Sequence, residues 1–236
     1  VDPLAVWMGF ESWFHGWRFF GAMFAFGAWT RQWDRPDMIA ARERIISEWP
    51  ELGWFEADYF NPKSWSPLWR NPAFDRATSR DRYWGAKRVL AFTADELRSA
   101  IAEGQYRPSA AERLFDVLWR RREKIARAYL DQVAPLEGFR FVERALCFED
   151  LFVKAGLGKE PAKYFARGAG TDIINHQGAS ACVSLQAQEG YRIVELRIQR
   201  AGAKRRGPAV RVHYIEEHGS RRIVGCLLYT SDAADE

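Results

Sequence analysis

Methionine, histidine and cysteine are scarce in this 236-residue chain, which has three Met, four His and three Cys. The histidines, His15, His176, His213 and His218, stand in no ligand spacing such as His-Glu-x-x-His. Cys147, Cys182 and His176 are the residues nearest to a zinc set, but no Cys-x-x-Cys pair supports one. Also missing are a Gly-x-Ser-x-Gly elbow, a P-loop and a Gly-x-Gly-x-x-Gly fingerprint. Those absences remove the usual signatures of serine hydrolysis, phosphate cradling and dinucleotide binding, and no cofactor is expected in this chain. Within Val1 to Trp29 the longest uncharged run, Phe19 to Trp29, is too short to span a bilayer. Two cysteines, once Cys226 is set aside for the reason given below, make no disulfide framework, yet they leave a single bridge open. The compartment stays open too, with the cell envelope among the candidates.

Aromatic residues are abundant: 11 Trp, 16 Phe and 8 Tyr. Val1 to Trp29 is dense in Trp, Phe and Gly, and Asp2-Pro3 suits the start of a helix. Trp13, Trp17 and Phe20 or Phe24 fall at helical spacing. An interfacial membrane helix should carry Lys and Arg on its polar face, and Arg18 is the only basic residue here. A core helix packed on a neighbour is the reading preferred. Further on, Trp33, Trp49, Trp54, Trp65 and Trp69 lie among Pro36, Pro50, Pro62, Pro67 and Pro72. Such residues plug a core beneath loops, or else form an exposed platform for sugar or a Pro-rich peptide.

The periodicity predicts a helix from Asp37 or Met38 to Glu48 and another from Thr78 or Ser79 to Phe92. The second should bury Tyr83, Trp84, the Lys87 stem, Val89 and Leu90. Thr93 to Glu96 and Ser109 to Glu112 read as capping boxes, opening helices that end near Gly104 and Gln132. Leu114, Leu118, Ile125 and Tyr129 share a face of the latter helix, with Arg121 or Arg122 in the gap between them. After Pro135 the pattern changes. Phe139 to Phe148 reads as a strand, and Gly156 to Gly190 as loop with a helical turn at Glu160 to Phe165. Val194, Leu196 and Ile198 alternate with Glu195, Arg197 and Gln199, and Val210, Val212 and Tyr214 repeat the pattern. A turn at Glu217 to Ser220 leads to a last strand, Arg221 to Gly225, and His213 falls on a solvent face.

Thirty-five Lys and Arg stand against 31 acids, a formal charge of +4. The signs are interspersed, which argues against nucleic acid as a partner. The densest basic run is Arg120 to Arg127, in which Arg120, Lys124 and Arg127 share a helix face and form the one candidate binding set, for phosphate. Glu123 and Arg127 are also spaced for an ion pair, so an ordinary solvated face is the preferred alternative. Asp81, Asp95, Glu96 and Asp116 are helix carboxylates, and no nucleophile–base pair points to a catalytic residue.

Several motifs lie between Phe60 and Leu130: Trp65-Ser-Pro67, Asn71-Pro-Ala-Phe74, Thr78 to Lys87, Phe92 to Glu96, Gly104-Gln-Tyr106 and Trp119 to Arg127. Together they resemble a family of largely uncharacterised bacterial proteins that share W-x-P, N-P-A-F, T-x-R-D-x-F/Y-W-A/G-A-K, F-T-D-E and I-x-R-R-D-K-I-G-R. Glu123 replaces Asp and Ala126 replaces Gly in the last of these. The similarity extends over most of Ala22 to Gly225. It implies that a half with a protein-kinase-like or lipid-kinase-like fold precedes this chain, carrying the nucleotide-binding lysine and metal-binding acids. That missing half would be the chain's partner, and no catalytic residue carries over to the positions matched here. The closing stretch, Cys226 to Glu236, resembles the translation of a transposon end used in sequencing libraries. Setting it aside removes Asp232, Asp235 and Glu236 and makes the chain more basic.

The expected fold is α+β. An apolar aromatic-rich helix (1–30) and a helical region with Pro- and Trp-rich loops (31–135) precede a truncated antiparallel β domain (136–225) and a foreign tail (226–236). The expected function is that of a non-catalytic C-terminal portion supporting a missing lobe. The alternative is an autonomous module that binds a glycan, an envelope component or a protein.

Overall fold

The computed structural model describes Phe24 and residues 36–63, 71–158, 162–168 and 174–230. The aromatic helix expected over 1–30, together with Trp33, Trp65 and Trp69, lies outside the described residues apart from Phe24. No helix among the described residues is long and apolar enough to cross a membrane. The chain is α+β, with helices preceding antiparallel sheets. It divides into two compact units that do not follow sequence order: residues 1–76 with 92–124, and residues 77–91 with 125–236.

The first unit holds α1 (Pro36–Glu48), the short α2 (Pro72–Asp75), α4 (Ala94–Ala102) and most of α5 (Pro108–Tyr129). Thr93 accepts from the Glu96 backbone N–H while the Glu96 side chain accepts from the Thr93 N–H, so the expected capping box is present. The box expected at Ser109 is not the start of α5. Pro108 already occupies the first turn, where its missing N–H costs nothing, and Ser109 follows inside the helix. Met38 and Ile45 of α1 bury Trp54, with Trp49 packed beside them. Trp54 is therefore a core plug, and its ring is not offered to a ligand.

The second unit combines α3 (Ser79–Ala91), the end of α5, a 3-10 turn (Leu130–Gln132) and all the strands. Thr78 and Asp81 cap α3 reciprocally: the Asp81 carboxylate accepts from the Thr78 N–H at 2.8 Å, and Thr78 Oγ1 accepts from the Asp81 N–H at 3.3 Å. Tyr83 and Ala86 are the buried residues of α3, packed with Ala126, Leu130, Val133 and Leu157. Trp84, expected in that stripe, is instead 58% exposed, with the Arg88 guanidinium 4.7 Å from its ring. One residue's rotation, 100° on a helix, separates the two outcomes.

The strands are β1 (Leu136–Val142), β2 (Ala145–Asp150), β3 (Lys163–Arg167), β4 (Ile174–Gln177), β5 (Ser180–Ser184), β6 (Gly190–Gln199), β7 (Ala209–Glu217) and β8 (Ser220–Leu228). A four-residue helix, α6 (Leu151–Lys154), follows β2. Two antiparallel sheets result, ordered β1-β2-β5-β4 and β3-β6-β7-β8. Their inner faces share one core: Leu146, Phe148 and Val183 from the first, and Val194, Leu196, Ile198, Val210, Val212 and Tyr214 from the second. The expected alternation of β6 and β7 supplies that second face. At the sheet margins β1 runs beside β8, and β3 beside β4, which shields edges that would otherwise pair with other chains.

Three expectations give way here. Phe139 to Phe148 is a hairpin turned at Glu143 and Arg144, not one strand. Gly156 to Gly190 contains β3, β4 and β5, so the helical turn expected at Glu160 to Phe165 is replaced by β3 where the residues are described. The last strand continues beyond Gly225 through Leu228, and the Tyr229 N–H donates to the Ala209 carbonyl at 2.9 Å. Cys-Leu-Leu-Tyr pairs readily with an open strand whatever its origin. The turn at His218-Gly219 is as expected, with φ of 52° and 77° at its two central residues.

Cys147 on β2 and Cys182 on β5 are directly opposite in the sheet register and form a disulfide across 35 residues of sequence. Closing that loop should stabilise the fold by roughly 3–4 kcal/mol. Replacing both cysteines with Ala is expected to lower the urea midpoint accordingly. A midpoint unmoved by the replacement, or by reduction of the unaltered chain, would contradict the bridge's role.

Candidate functional site

The basic run of α5 is where the sequence offered a phosphate site, with a solvated helix face as the preferred reading. In the structure most of it is turned inward. Arg121 is 6% exposed. Its guanidinium lies 3.9 Å from the Phe55 ring and 4.8 Å from the Phe60 ring, and it donates through both Nε and Nη2 to the Glu56 carbonyl. Lys124 Nζ donates to the carbonyls of Ala57, Asp58 and Phe60 at 2.5, 2.9 and 3.2 Å. Arg120 pairs with the Asp58 carboxylate, and Arg113 with that of the buried Glu56. Four cations of one helix thus satisfy the polar groups of the segment 56–60, which has no sheet or helix to bond its own backbone.

Of the three residues proposed for phosphate, the structure brings Arg120 and Lys124 together on that segment. Arg127 has different partners: it donates to the Leu157 carbonyl at 2.7 Å and its guanidinium lies 5.7 Å from the Phe152 ring. Lysine is suited to the first task because three rotatable N–H donors can meet three carbonyls at once, and arginine to the second because its planar fork stacks on rings.

A second polar centre, unforeseen from sequence, lies in the β unit. Asp150 ends β2 and is fully buried. Its carboxylate accepts from the Phe152 N–H at 2.9 Å, capping α6, from the Tyr164 hydroxyl at 3.0 Å, and from Arg200 Nη1 and Nη2 at 2.6 and 3.1 Å. Each oxygen takes two donors, so the group is saturated. Arg200 also pairs with Asp131 at 2.9 Å and lies over the Phe152 ring at 4.4 Å. Burial pulls the Arg200 guanidinium toward neutrality, but its bonds to the two acids outweigh this and hold it charged. Tyr164 is shifted upward by burial and by the adjoining Asp150 charge. A carboxylate with all four acceptor positions taken has none to offer a ligand, and the arrangement ties strands together.

At the other end of the sandwich Arg221 and Glu216, with side chains 4% and 5% exposed, pair at 3.1 Å. Arg221 also donates to the Arg144 carbonyl at 2.7 Å, so the β1–β2 turn is held to the β7–β8 turn. The Gln188 backbone N–H, and then Arg221, keep the Glu216 carboxyl below its ordinary value. His213, on the outer face as expected, meets the Tyr191 hydroxyl through Nδ1. No group of three or more His, Cys, Asp or Glu able to hold a metal occurs among the described residues, and Cys147 and Cys182 are committed to each other.

Beside the Arg200 network opens a cavity of about 250 Å³ between the 3-10 turn and the β6–β7 turn. Val133, Ala134, Pro135, Ile198 and Pro208 form most of its walls, while Arg200, Asp131 and Arg205 supply polar groups. The clue to this site in sequence was the basic turn Lys204-Arg205-Arg206, but nothing local showed which side chain would face inward.

No protein-family model matches the chain, and neither the curated proteins nor the solved structures contain a match.

Two outcomes follow for the buried centre. Asp150→Ala should cost roughly 3–5 kcal/mol, because Arg200 and Tyr164 lose a saturated partner. Asp150→Leu combined with Arg200→Met should cost much less than the sum of the single changes, and a denaturation cycle showing simple additivity would rule out the coupling. Tyr83 is pushed up to about 12, by burial first and then by the charges of Glu137 and Asp150. A folded-state value above the unfolded one means that this stability is complete below about pH 10 and is lost as pH rises toward ~12. Melts across that range should lose about 2 kcal/mol at this group, and Tyr83→Phe should remove that part of the loss.

Proposed function

We propose that this chain is a non-catalytic portion of a larger, kinase-like protein, supporting a lobe in which the chemistry takes place. The observation that carries this reading is the fate of the motif residues. Thr78 and Asp81 close a helix end, and Tyr83 and Ala86 fill a core. Lys87 pairs with Glu137. Arg121 and Lys124 hold the segment 56–60, and Arg127 holds Leu157. Ala126, which stands where the family pattern has Gly, is fully buried, so the position tolerates only the smallest side chains. Residues that bind or transform a substrate must present unsatisfied polar groups to it, and the motif residues just named direct theirs at their own fold.

The second reading, a binding module, has its own support in the β unit, which owns a continuous core and a cavity. Recognition of sugar by a Trp platform is not favoured by Trp54, which is buried.

The reading is tested on the reading frame extended upstream of Val1. Arg121→Met and Lys124→Met should each lower the melting temperature while nucleotide turnover per folded molecule stays within about twofold, since ΔΔG for an anchoring residue falls on stability and not on the transition state. A loss of about a hundredfold in turnover at an unchanged melting temperature would place these residues in the chemistry and overturn the proposal.

A further inference from the structure

We propose that the cavity beside Arg200 binds a small organic acid, with the ligand carboxylate on Arg205 and its apolar body against Val133, Pro135, Ile198 and Pro208. The inference is independent of the kinase-like reading, because it rests only on groups of the β unit.

Three features support it. The first is an available charge. Arg200 is occupied by Asp131 and Asp150, and Arg206 lies over the Phe165 ring at 3.7 Å. Arg205 lines the same cavity and has no hydrogen-bond or ion-pair partner among the described residues. A guanidinium can hold a carboxylate by two parallel N–H bonds. The second is the balance of charge around the opening. Arg200 and Arg205 line it, and Lys204 and Arg206 adjoin Arg205 in the same turn, against Asp131, whose carboxylate is already bonded to Arg200, and the fully buried Asp150. An anion therefore meets a net positive rim, and a cation is disfavoured. The third is a turn held in shape before any ligand arrives. The Gly207 N–H donates to the Ile198 carbonyl at 2.7 Å, the Ala203 N–H to the Arg200 carbonyl at 3.0 Å, and Gln199 Nε2 to the Ala203 carbonyl at 2.8 Å. A preformed turn reduces the ordering cost of binding.

Size limits the ligand. About 250 Å³ is below the range of pockets that enclose drug-sized molecules, and it suits a single ring or a short branched chain. The apolar walls distinguish such an acid from inorganic phosphate, which has no surface to bury there.

Benzoate is the probe, with benzamide as its neutral counterpart and inorganic phosphate as a charge without an apolar body. Backbone amide shifts of the whole chain are followed by NMR at neutral pH. Benzoate should saturate, moving resonances of residues 131–135 and 198–208, and should bind about tenfold more tightly than benzamide or phosphate. Arg205→Gln, an exposed change that leaves the melting temperature alone, should abolish that preference. Ala203→Leu, which narrows the cavity, should weaken benzoate without restoring benzamide. Equal binding of benzoate and benzamide, phosphate binding as tightly as benzoate, no saturable shift, or full benzoate affinity in the Arg205→Gln variant would each overturn the assignment.

Discussion

A carboxylate with no exposure to water governs the architecture of the β unit. An unpaired buried Asp would be intolerable, and Asp150 is buried completely. Its four donors come from α6, β3 and the end of β6, so each of those elements must be in place for the charge to be compensated. That requirement couples the two sheets more specifically than their shared apolar core does, because apolar contacts tolerate sliding and a saturated carboxylate does not. It also fixes Arg200 at the head of the β6–β7 turn, and so sets one wall of the cavity and one side of its charge balance.

Arginine serves the same purpose repeatedly. Arg121 holds the Glu56 carbonyl between two rings, Arg200 holds Asp150 and Asp131, and Arg221 holds Glu216 with the Arg144 carbonyl. In each case a guanidinium satisfies polar groups that the backbone ladder does not reach: a loop carbonyl at Glu56, a turn carbonyl at Arg144, and the buried carboxylates of Asp150 and Glu216. A fork of fixed donors that also stacks on aromatic faces can be buried at lower cost than an ammonium. The basic balance of the chain thus has an internal explanation for many of its charges. Arg205 stands apart because the acid that shares its cavity, Asp131, is paired with Arg200.

What the sequence revealed tracks how local the physics is. The alternation of Val194, Leu196 and Ile198, the Thr93 box and the His218-Gly219 turn are written within a few residues, and each appears as expected. The strands β3, β4 and β5 were missed because they are only five, four and five residues long and none of them alternates clearly between apolar and polar residues, so no period of two emerges. Burial of Tyr83 with exposure of Trp84 depends on which side of α3 meets α5, which no single-helix pattern records. The basic run of α5 was visible as charge, but its partners at 56–60 lie more than 60 residues away, and residue spacing could not distinguish an anchor from a phosphate site. The Asp150 centre joins residues from four separate parts of the chain and left no local trace.

The disulfide and the buried ion pairs divide the work of specification between them. Cys147 and Cys182 tie neighbouring strands of one sheet, and a tie between directly opposed residues forbids the one-residue slip that would turn every side chain of β2 to the wrong face. The Arg200–Asp150 pair acts between sheets, where a covalent bond within one sheet has no reach, and Arg221, paired with Glu216 inside its own sheet, crosses to the Arg144 carbonyl of the other. Register must be right first, since a slip would carry Asp150 out of the interior and away from Arg200 altogether. The bridge therefore reinforces the polar centre indirectly, by holding the strand that delivers its carboxylate, and the cavity inherits its shape from both.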